Sequence, residues 1–84
     1  MSKIFNQNNT INSLQVSTVY NIPAGNFNPG LVFLINNITE DVLTVTIVPA
    51  SQNTAVETKL QVGWNPIICK EVKNVTAQTL QYGY

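Results

Sequence analysis

The sequence predicts an all-β fold: a small antiparallel β-sandwich or jelly-roll-like barrel of about six strands. Val, Ile and Thr, whose branched side chains suit pleated sheets, make up 27 of the 84 residues. Apolar and polar residues alternate in several segments, and turn residues separate these segments every 8–15 positions. No window places apolar residues at helical spacing among good helix formers, which argues against a helical alternative.

The first predicted strand covers residues 14–22 and follows a period of two, with Tyr20 and Ile22 on its apolar face. Residues 23–26 and 28–30 are rich in Pro, Gly and Asn and predict two turns after this strand.

The next two strands are predicted to form a central hairpin. Residues 31–35 are apolar at every position, which predicts a strand covered on both faces. Residues 42–48 alternate and place Leu43, Val45 and Ile47 on one buried face. A loop of about five residues separates the two segments, a spacing typical of a hairpin.

Three further strands complete the predicted sheet. Residues 54–62 alternate cleanly, and the Gly-Trp-Asn-Pro sequence at 63–66 predicts a turn. Residues 67–72 and 76–82 are the last two strands, with a break near Asn74. The 14–84 segment is therefore interpreted as a single β-sandwich domain.

Residues 1–13 are rich in Asn and Gln and have Ile4, Phe5 and Ile11 as their apolar anchors. This composition offers too little apolar surface for a sandwich core. The segment is predicted to be an extended N-terminal arm that docks on another subunit.

Composition excludes several functional classes. Charged residues make up 10% of the chain, there is no Arg, and the net charge is zero, which argues against nucleic-acid binding. The longest apolar run, at 31–35, is far too short to span a membrane. The N-terminus has no apolar segment typical of a secretory signal.

The residues that carry chemistry are scarce, so no catalytic, cofactor-binding or metal-binding site is predicted and the chain is interpreted as a non-enzyme. There is no His to act as a base near neutral pH. Cys69 has apolar neighbours and is predicted to be a small buried hydrophobic residue. Glu40 and Asp41 are interpreted as solubilising loop residues, with a weak calcium site involving Asn36 and Asn37 as the alternative.

The aromatic residues are the strongest candidates for contacts. Aromatic side chains can anchor a protein interface or stack on sugar rings, and they can equally plug the ends of a sandwich. Together with the apolar residues of the arm, the interface candidates are Ile4, Phe5, Ile11, Phe27, Trp64, Tyr82 and Tyr84.

The stretch from Gly30 to Tyr84 has a strand pair, a long strand, the turn at 63–67, Lys70 and Val72, and a closing strand with Ala77 and Thr79. This layout resembles the small β-sandwich virion proteins of tailed bacteriophages, of the spike-base and head-decoration type. The resemblance implies a structural role in the virion, with many copies per particle and no enzymatic activity.

Two functional hypotheses follow. The first is an auxiliary capsid (head decoration) protein, made in the host cytoplasm, that binds and stabilises the major capsid protein shell or contacts other virion proteins. Its neutral, Asn- and Thr-rich surface and unprotected sheet edges favour burial against protein neighbours. The alternative is a carbohydrate-binding or adhesive β module, in which Trp64, Tyr82 or Tyr84 stacks on sugars.

Overall fold

The computed structural model describes residues 16–84 and shows an all-β protein, with no helix among these residues. Its seven strands are β1 (Val19–Asn21), β2 (Gly25–Phe27), β3 (Phe33–Asn37), β4 (Leu43–Pro49), β5 (Val56–Leu60), β6 (Gly63–Val75) and β7 (Leu80–Gly83). The predicted fold class is confirmed, and β2 is an additional strand that begins inside a predicted turn. The predicted arm, with Ile4, Phe5 and Ile11, and its boundary with the domain lie outside the described residues.

All seven strands belong to one antiparallel sheet, ordered β1-β7-β3-β6-β4-β5, and β2 pairs with β6. The predicted hairpin between β3 and β4 is wrong, because β6 lies between them and pairs with both. The hairpin that forms joins β4 to β5, with Leu43 opposite Leu60 and Ile47 opposite Val56. Pairing strands that are neighbours in sequence is the commoner arrangement. Here the 13-residue β6 is long enough to serve both partners.

The predicted turn at residues 63–66 is also wrong, because these residues begin β6. The chain bends at Gln61 and Val62 instead, between two strands that both run antiparallel to β4, and the buried side chain of Asn65 holds this bend. Asn65 Oδ1 accepts the Gln61 N–H at 2.9 Å, and Asn65 Nδ2 donates to the Gln61 carbonyl at 3.0 Å. The side-chain amide of Asn65 thus accepts from and donates to the backbone of Gln61, as the backbone of a neighbouring strand would. Pro66 lies where the register between β3 and β6 is irregular. Such a position tolerates a proline, which has no backbone N–H to donate.

The core forms on one face of the sheet, which bends so that distant strands meet. Leu80 of β7 lines the same cleft as Leu43 and Val45 of β4, although β3 and β6 lie between β7 and β4 in the sheet. The prediction that Leu43, Val45 and Ile47 share an inward face is confirmed, with Ile47 fully buried and the other two partly buried. The buried cluster comprises Ile22, Phe33, Ile35, Ile47, Leu60, Cys69, Val72, Val75 and Leu80.

The apolar segment predicted as a doubly covered strand behaves so over three of its five residues. Phe33, Leu34 and Ile35 are buried, and successive side chains of a strand point to opposite faces. Leu31 and Val32 precede β3 and remain 39% and 51% exposed. Leu31 and Val32 therefore expose apolar surface just before the start of β3.

Asn37 organises the connection between β3 and β4. Its side chain is almost fully buried, and its Nδ2 donates to the carbonyls of Asp41 at 2.8 Å and Leu60 at 3.3 Å. Its Oδ1 accepts the Thr39 N–H at 3.0 Å. Because Leu60 ends β5, this buried amide ties the loop to a strand three places away in the sheet. Burial of a fully bonded amide avoids the cost of an unsatisfied polar group.

Candidate interaction surface

Charge is distributed unequally over the sheet. All seven charged residues within 16–84 lie between Glu40 and Lys73, and residues 16–39 and 74–84 have none. The uncharged segments supply β1, β7 and β3, which are adjacent at one end of the sheet. We call residues 16–39 and 74–84, which include these three strands, the charge-free half. We call β4, β5 and residues 69–73 of β6 the charged half.

In the charged half, polar contacts engage two of the lysines. Lys73 Nζ lies 3.2 Å from Glu71 Oε2, and Lys70 Nζ donates to Asn53 Oδ1 at 2.7 Å. The Lys73–Glu71 pair is partly exposed, so its contribution to stability is about 0–1 kcal/mol. These charges keep this half of the surface hydrated and do not converge on a site.

The charge-free half has a group of three tyrosines, Tyr20, Tyr82 and Tyr84, which we call the tyrosine patch. Tyr20 lies opposite Tyr82 in the register of β1 and β7, and Tyr84 is two residues further along the same face. The ring centroid of Tyr20 is 5.6 Å from that of Tyr82 and 6.5 Å from that of Tyr84. Tyr20 and Tyr84 are 52% and 44% exposed, so the patch offers aromatic surface to solvent.

Two phenylalanines support the tyrosine patch from the core side. The ring centroid of Tyr82 lies 4.7 Å from that of Phe27 and 5.4 Å from that of Phe33. Phe33 is buried, and Phe27 and Tyr82 are partly buried against the core. Tilted and edge-on rings at these distances attract each other beyond simple burial. The patch is therefore the exposed end of a packed aromatic cluster.

The backbone of Tyr84 is held in the β1–β7 ladder. Its N–H donates to the Thr18 carbonyl at 3.1 Å, and its oxygen accepts the N–H groups of Ser17 and Thr18 at 2.9 and 3.1 Å. Loss of hydration, and then the neighbouring Tyr20 and Tyr82 hydroxyls, raise the pKa of the Tyr84 hydroxyl. The exposed ring of Tyr84 thus stands on ordered backbone.

On the opposite face of the charge-free half, Trp64 packs against Gly83. A Cβ added at Gly83 would lie 2.8 Å from Trp64 Cη2 and 3.0 Å from the Thr18 carbonyl oxygen, so a side chain here requires the indole or the Thr18 backbone to shift. The indole is half-buried in this arrangement. Its contact with Gly83 gives Trp64 a packing role, and its role in an interface stays a prediction.

An apolar groove lies on this face next to β1. Its volume is about 150 Å³. Val32 and Ile68, which are 51% and 50% exposed, leave it open to solvent. We call it the apolar groove, and it is lined by Val16, Val32, Phe33, Leu34, Ile68, Gly83 and Tyr84.

A row of side-chain amides crosses the same half of the sheet. Asn36 Nδ2 donates to Gln81 Oε1 at 3.1 Å, and Gln81 Nε2 donates to Asn21 Oδ1 at 3.2 Å. These residues are direct cross-strand neighbours on β3, β7 and β1. The amide row therefore runs from the interior of the sheet to its edge strand.

The structure brings together only some of the interface candidates predicted from sequence. Phe27, Tyr82 and Tyr84 meet in the aromatic cluster, whereas Trp64 lies on the other face. Tyr20 belongs to the patch but was placed on the apolar face of the first predicted strand and not among the interface candidates. Its alternation with Ile22 is correct, but alternation does not reveal that β1 is an edge strand among residues 16–84.

The buried Cys69 is not poised for catalysis. Burial raises the pKa of its thiol to about 11, so the thiol is protonated at neutral pH. Its prediction as a buried hydrophobic residue is confirmed. Across residues 16–84, no group of three or more His, Cys, Asp or Glu side chains could hold a metal ion. The amides of Asn36 and Asn37, considered for calcium, are engaged in protein hydrogen bonds.

No known protein family, curated protein or solved structure matches this chain. A search of the described residues finds no helix of the length and apolarity needed to cross a membrane.

Proposed function

We propose that this chain is a non-enzymatic structural protein that packs against protein neighbours. The observation that carries the proposal is the charge-free half, where aromatic and apolar side chains are exposed on a rigid sheet with no charge among them. Six of the ten large apolar side chains exposed in the described region belong to residues 16–39 and 74–84.

This surface has the composition of an interface core. Protein–protein interfaces are depleted of charge and enriched in aromatic residues at their centre. Tyr20 and Tyr84 supply rigid aromatic area, and the groove beside Val32 supplies an apolar recess. The charged half has a hydrated surface, and in this proposal it faces away from the protein neighbours.

In its specific form, the proposal is an auxiliary capsid protein of a tailed bacteriophage, which binds the major capsid protein in many copies and stabilises the shell. The support for this form is the resemblance of residues 30–84 to small virion β-sandwich proteins. A thin, neutral β module adds interface to a shell without adding repulsive charge.

Mass spectrometry of density-purified particles from the source of the sequence tests this proposal, and cryo-electron microscopy then locates the chain. We expect the chain in stoichiometric amounts, with its charge-free half against a neighbouring protein. Particles without this chain, or a chain bound through the charged half, contradict the proposal.

The tyrosine patch favours a second candidate function, carbohydrate binding. Tyr20 and Tyr84 present adjacent exposed rings, and aromatic faces stack on sugar rings. A glycan array with a multivalent form of the protein separates the two functions. Specific binding that is lost in Tyr20→Ala but kept in Val56→Ala supports the carbohydrate function, since Val56 is an exposed residue of β5 on the charged half.

A further inference from the structure

The outer edge of β1 presents backbone groups that β7 does not use. Thr18 and Tyr84 exchange hydrogen bonds in both directions, and Ile22 donates to the Leu80 carbonyl. Antiparallel ladders alternate, so Thr18, Tyr20 and Ile22 point their backbone groups toward β7. Val19 and Asn21 point theirs away from it. Within residues 16–84, β7 is the one partner of β1.

The β1 edge has fewer features that discourage pairing with another strand than the opposite edge of the sheet has. β5 is the opposite edge strand and has Glu57 and Lys59, charges of the kind that discourage pairing with another strand. Residues 16–22 have no charged residue and no proline. The edge of β1 is therefore open to strand addition.

The amide row ends at this edge. Gln81 donates to Asn21, which is an outward-pointing backbone position of β1 as well as the last amide of the row. Asn and Gln side chains stacked on successive strands extend hydrogen-bonded ladders. A strand rich in Asn and Gln, added at β1, would continue both the backbone ladder and the amide row.

The N-terminal segment has this composition. Residues 6–9 are Asn-Gln-Asn-Asn, and residues 1–13 have no glycine, no proline and one charged residue, Lys3. We propose that residues 1–13 of a second copy of this chain add as a strand to the outer edge of β1. The arrangement is reciprocal, since each copy's segment leaves from its own β1, and a two-fold axis between the two β1 edges closes it.

Reach and shape support a second copy as the occupant. An extended 13-residue segment spans about 43 Å, against 40 Å for the longest dimension of the described part. Residues 10–16 contain no Asn-Gly or similar pair that would turn the same chain back along its own β1.

The apolar groove lies beside the same edge and is lined in part by Val16 and Tyr84. Its volume of about 150 Å³ leaves room for one apolar side chain. It suits one apolar anchor of the added strand, for which Ile4 and Phe5 are the candidates.

Sedimentation of the full-length chain over a concentration series tests the proposal, with Val19→Pro and Val19→Thr as matched variants. Proline removes an outward N–H while leaving the β7 ladder intact, and threonine keeps that N–H. We expect dimers for the unmodified chain and Val19→Thr, and a dimer dissociation constant at least tenfold higher for Val19→Pro. If Val19→Pro fails to fold, Asn21→Lys replaces it. This variant keeps the backbone N–H, adds a charge at the edge of β1, and should also raise the dimer dissociation constant.

Isotope-filtered nuclear Overhauser spectra of mixed labelled copies identify the occupant without any substitution. Contacts between residues 1–13 of one copy and β1 of the other support the proposal. A chain that is monomeric up to millimolar concentration, contacts only within one copy, or a dimer that Val19→Pro and Asn21→Lys leave unchanged overturns it.

The inference rests on the proposed assembly role and shares the apolar groove with it, but pairing at the β1 edge is tested separately. A chain that dimerises through β1 yet is missing from particles leaves this inference standing and removes the capsid proposal. A chain that occupies particles but never pairs through β1 removes this inference and leaves the capsid proposal standing.

Discussion

The charged and charge-free halves of the sheet share one core and differ at their surfaces. Ile35 in β3 and Ile47 in β4 are each 1% exposed and belong to the same buried cluster. On the outside, the charged half has lysines and acids along β5 and β6, whereas the charge-free half shows tyrosines, valines and amides.

This difference separates what folds the protein from what the protein contacts. Burial in the core sets stability and needs apolar residues in both halves. Charge on exposed strands changes stability little but strongly affects which surfaces associate. The asymmetry therefore marks the charge-free half as the side for partners, and the following substitutions test this reading.

The largest effect is expected from the matched core variants Ile35→Ala and Ile47→Ala. Each removes a fully buried aliphatic side chain, which costs about 2–5 kcal/mol of unfolding free energy. Urea denaturation should show similar losses for both, because the two halves share one core. A large loss in one variant with none in the other would show that the halves fold as separate units.

Raising the pH tests the junction between the halves, where Cys69 of β6 lies opposite Phe33 on one side and Pro49 on the other. The folded thiol has its pKa raised from 9.0 to about 11, so folding favours the protonated form. Stability is fully present below pH 9 and falls as the pH rises toward 11, by about 2 kcal/mol at pH 10.5.

Urea midpoints at pH 8 and pH 10.5 measure this loss, and Cys69→Ala is the control. Tyrosine ionisation affects both proteins equally, so the difference between them isolates the thiol. Equal pH dependence of the two proteins would show that the thiol is hydrated in the folded state.

Gly83→Ala is expected to lower the free energy of unfolding of the protein by about 1–3 kcal/mol, because its methyl group would overlap the Trp64 ring. A double-mutant cycle with Trp64→Phe should recover part of that loss, since the smaller ring vacates the space. Denaturation of the three variants measures the coupling. Strictly additive losses would mean that the overlap with the Thr18 carbonyl, and not the indole, excludes a side chain here.

The smallest change in stability, within about 0.5 kcal/mol, is expected for Val32→Lys and Val56→Lys, because both valines are exposed. Their effects on association should differ. Val32→Lys places a charge at the apolar groove and should weaken particle binding or self-association at least tenfold, whereas Val56→Lys adds to an already charged half and should not. Equal behaviour of the two variants would remove the functional distinction between the halves.

The sequence was sufficient for the fold class and for most strand positions, because alternation and turn residues are local signals. The inward face of Leu43, Val45 and Ile47 was correctly predicted for this reason. The partners of these strands were not predicted correctly. The position of β6 between β3 and β4 depends on contacts between residues far apart in sequence, and local sequence patterns do not predict such contacts.

The candidate surface was predicted even less completely. Tyr82 and Tyr84 were predicted as contact residues, but their neighbour Tyr20 is more than 60 positions away in the sequence. Asn65 was interpreted as a turn residue, although its side chain acts as a substitute for strand backbone. Side-chain amides serve both purposes, and only the fold selects between them.

The pairing of β1 with β7 joins an early strand to the last strand of the sheet. During synthesis the ribosome delivers β1 first, and its ladder partner emerges about 60 residues later. At translation rates of about 5–20 residues per second, β1 waits for several seconds with both of its edges unpaired. Partner choice at this edge is thus open while the protein is still being made.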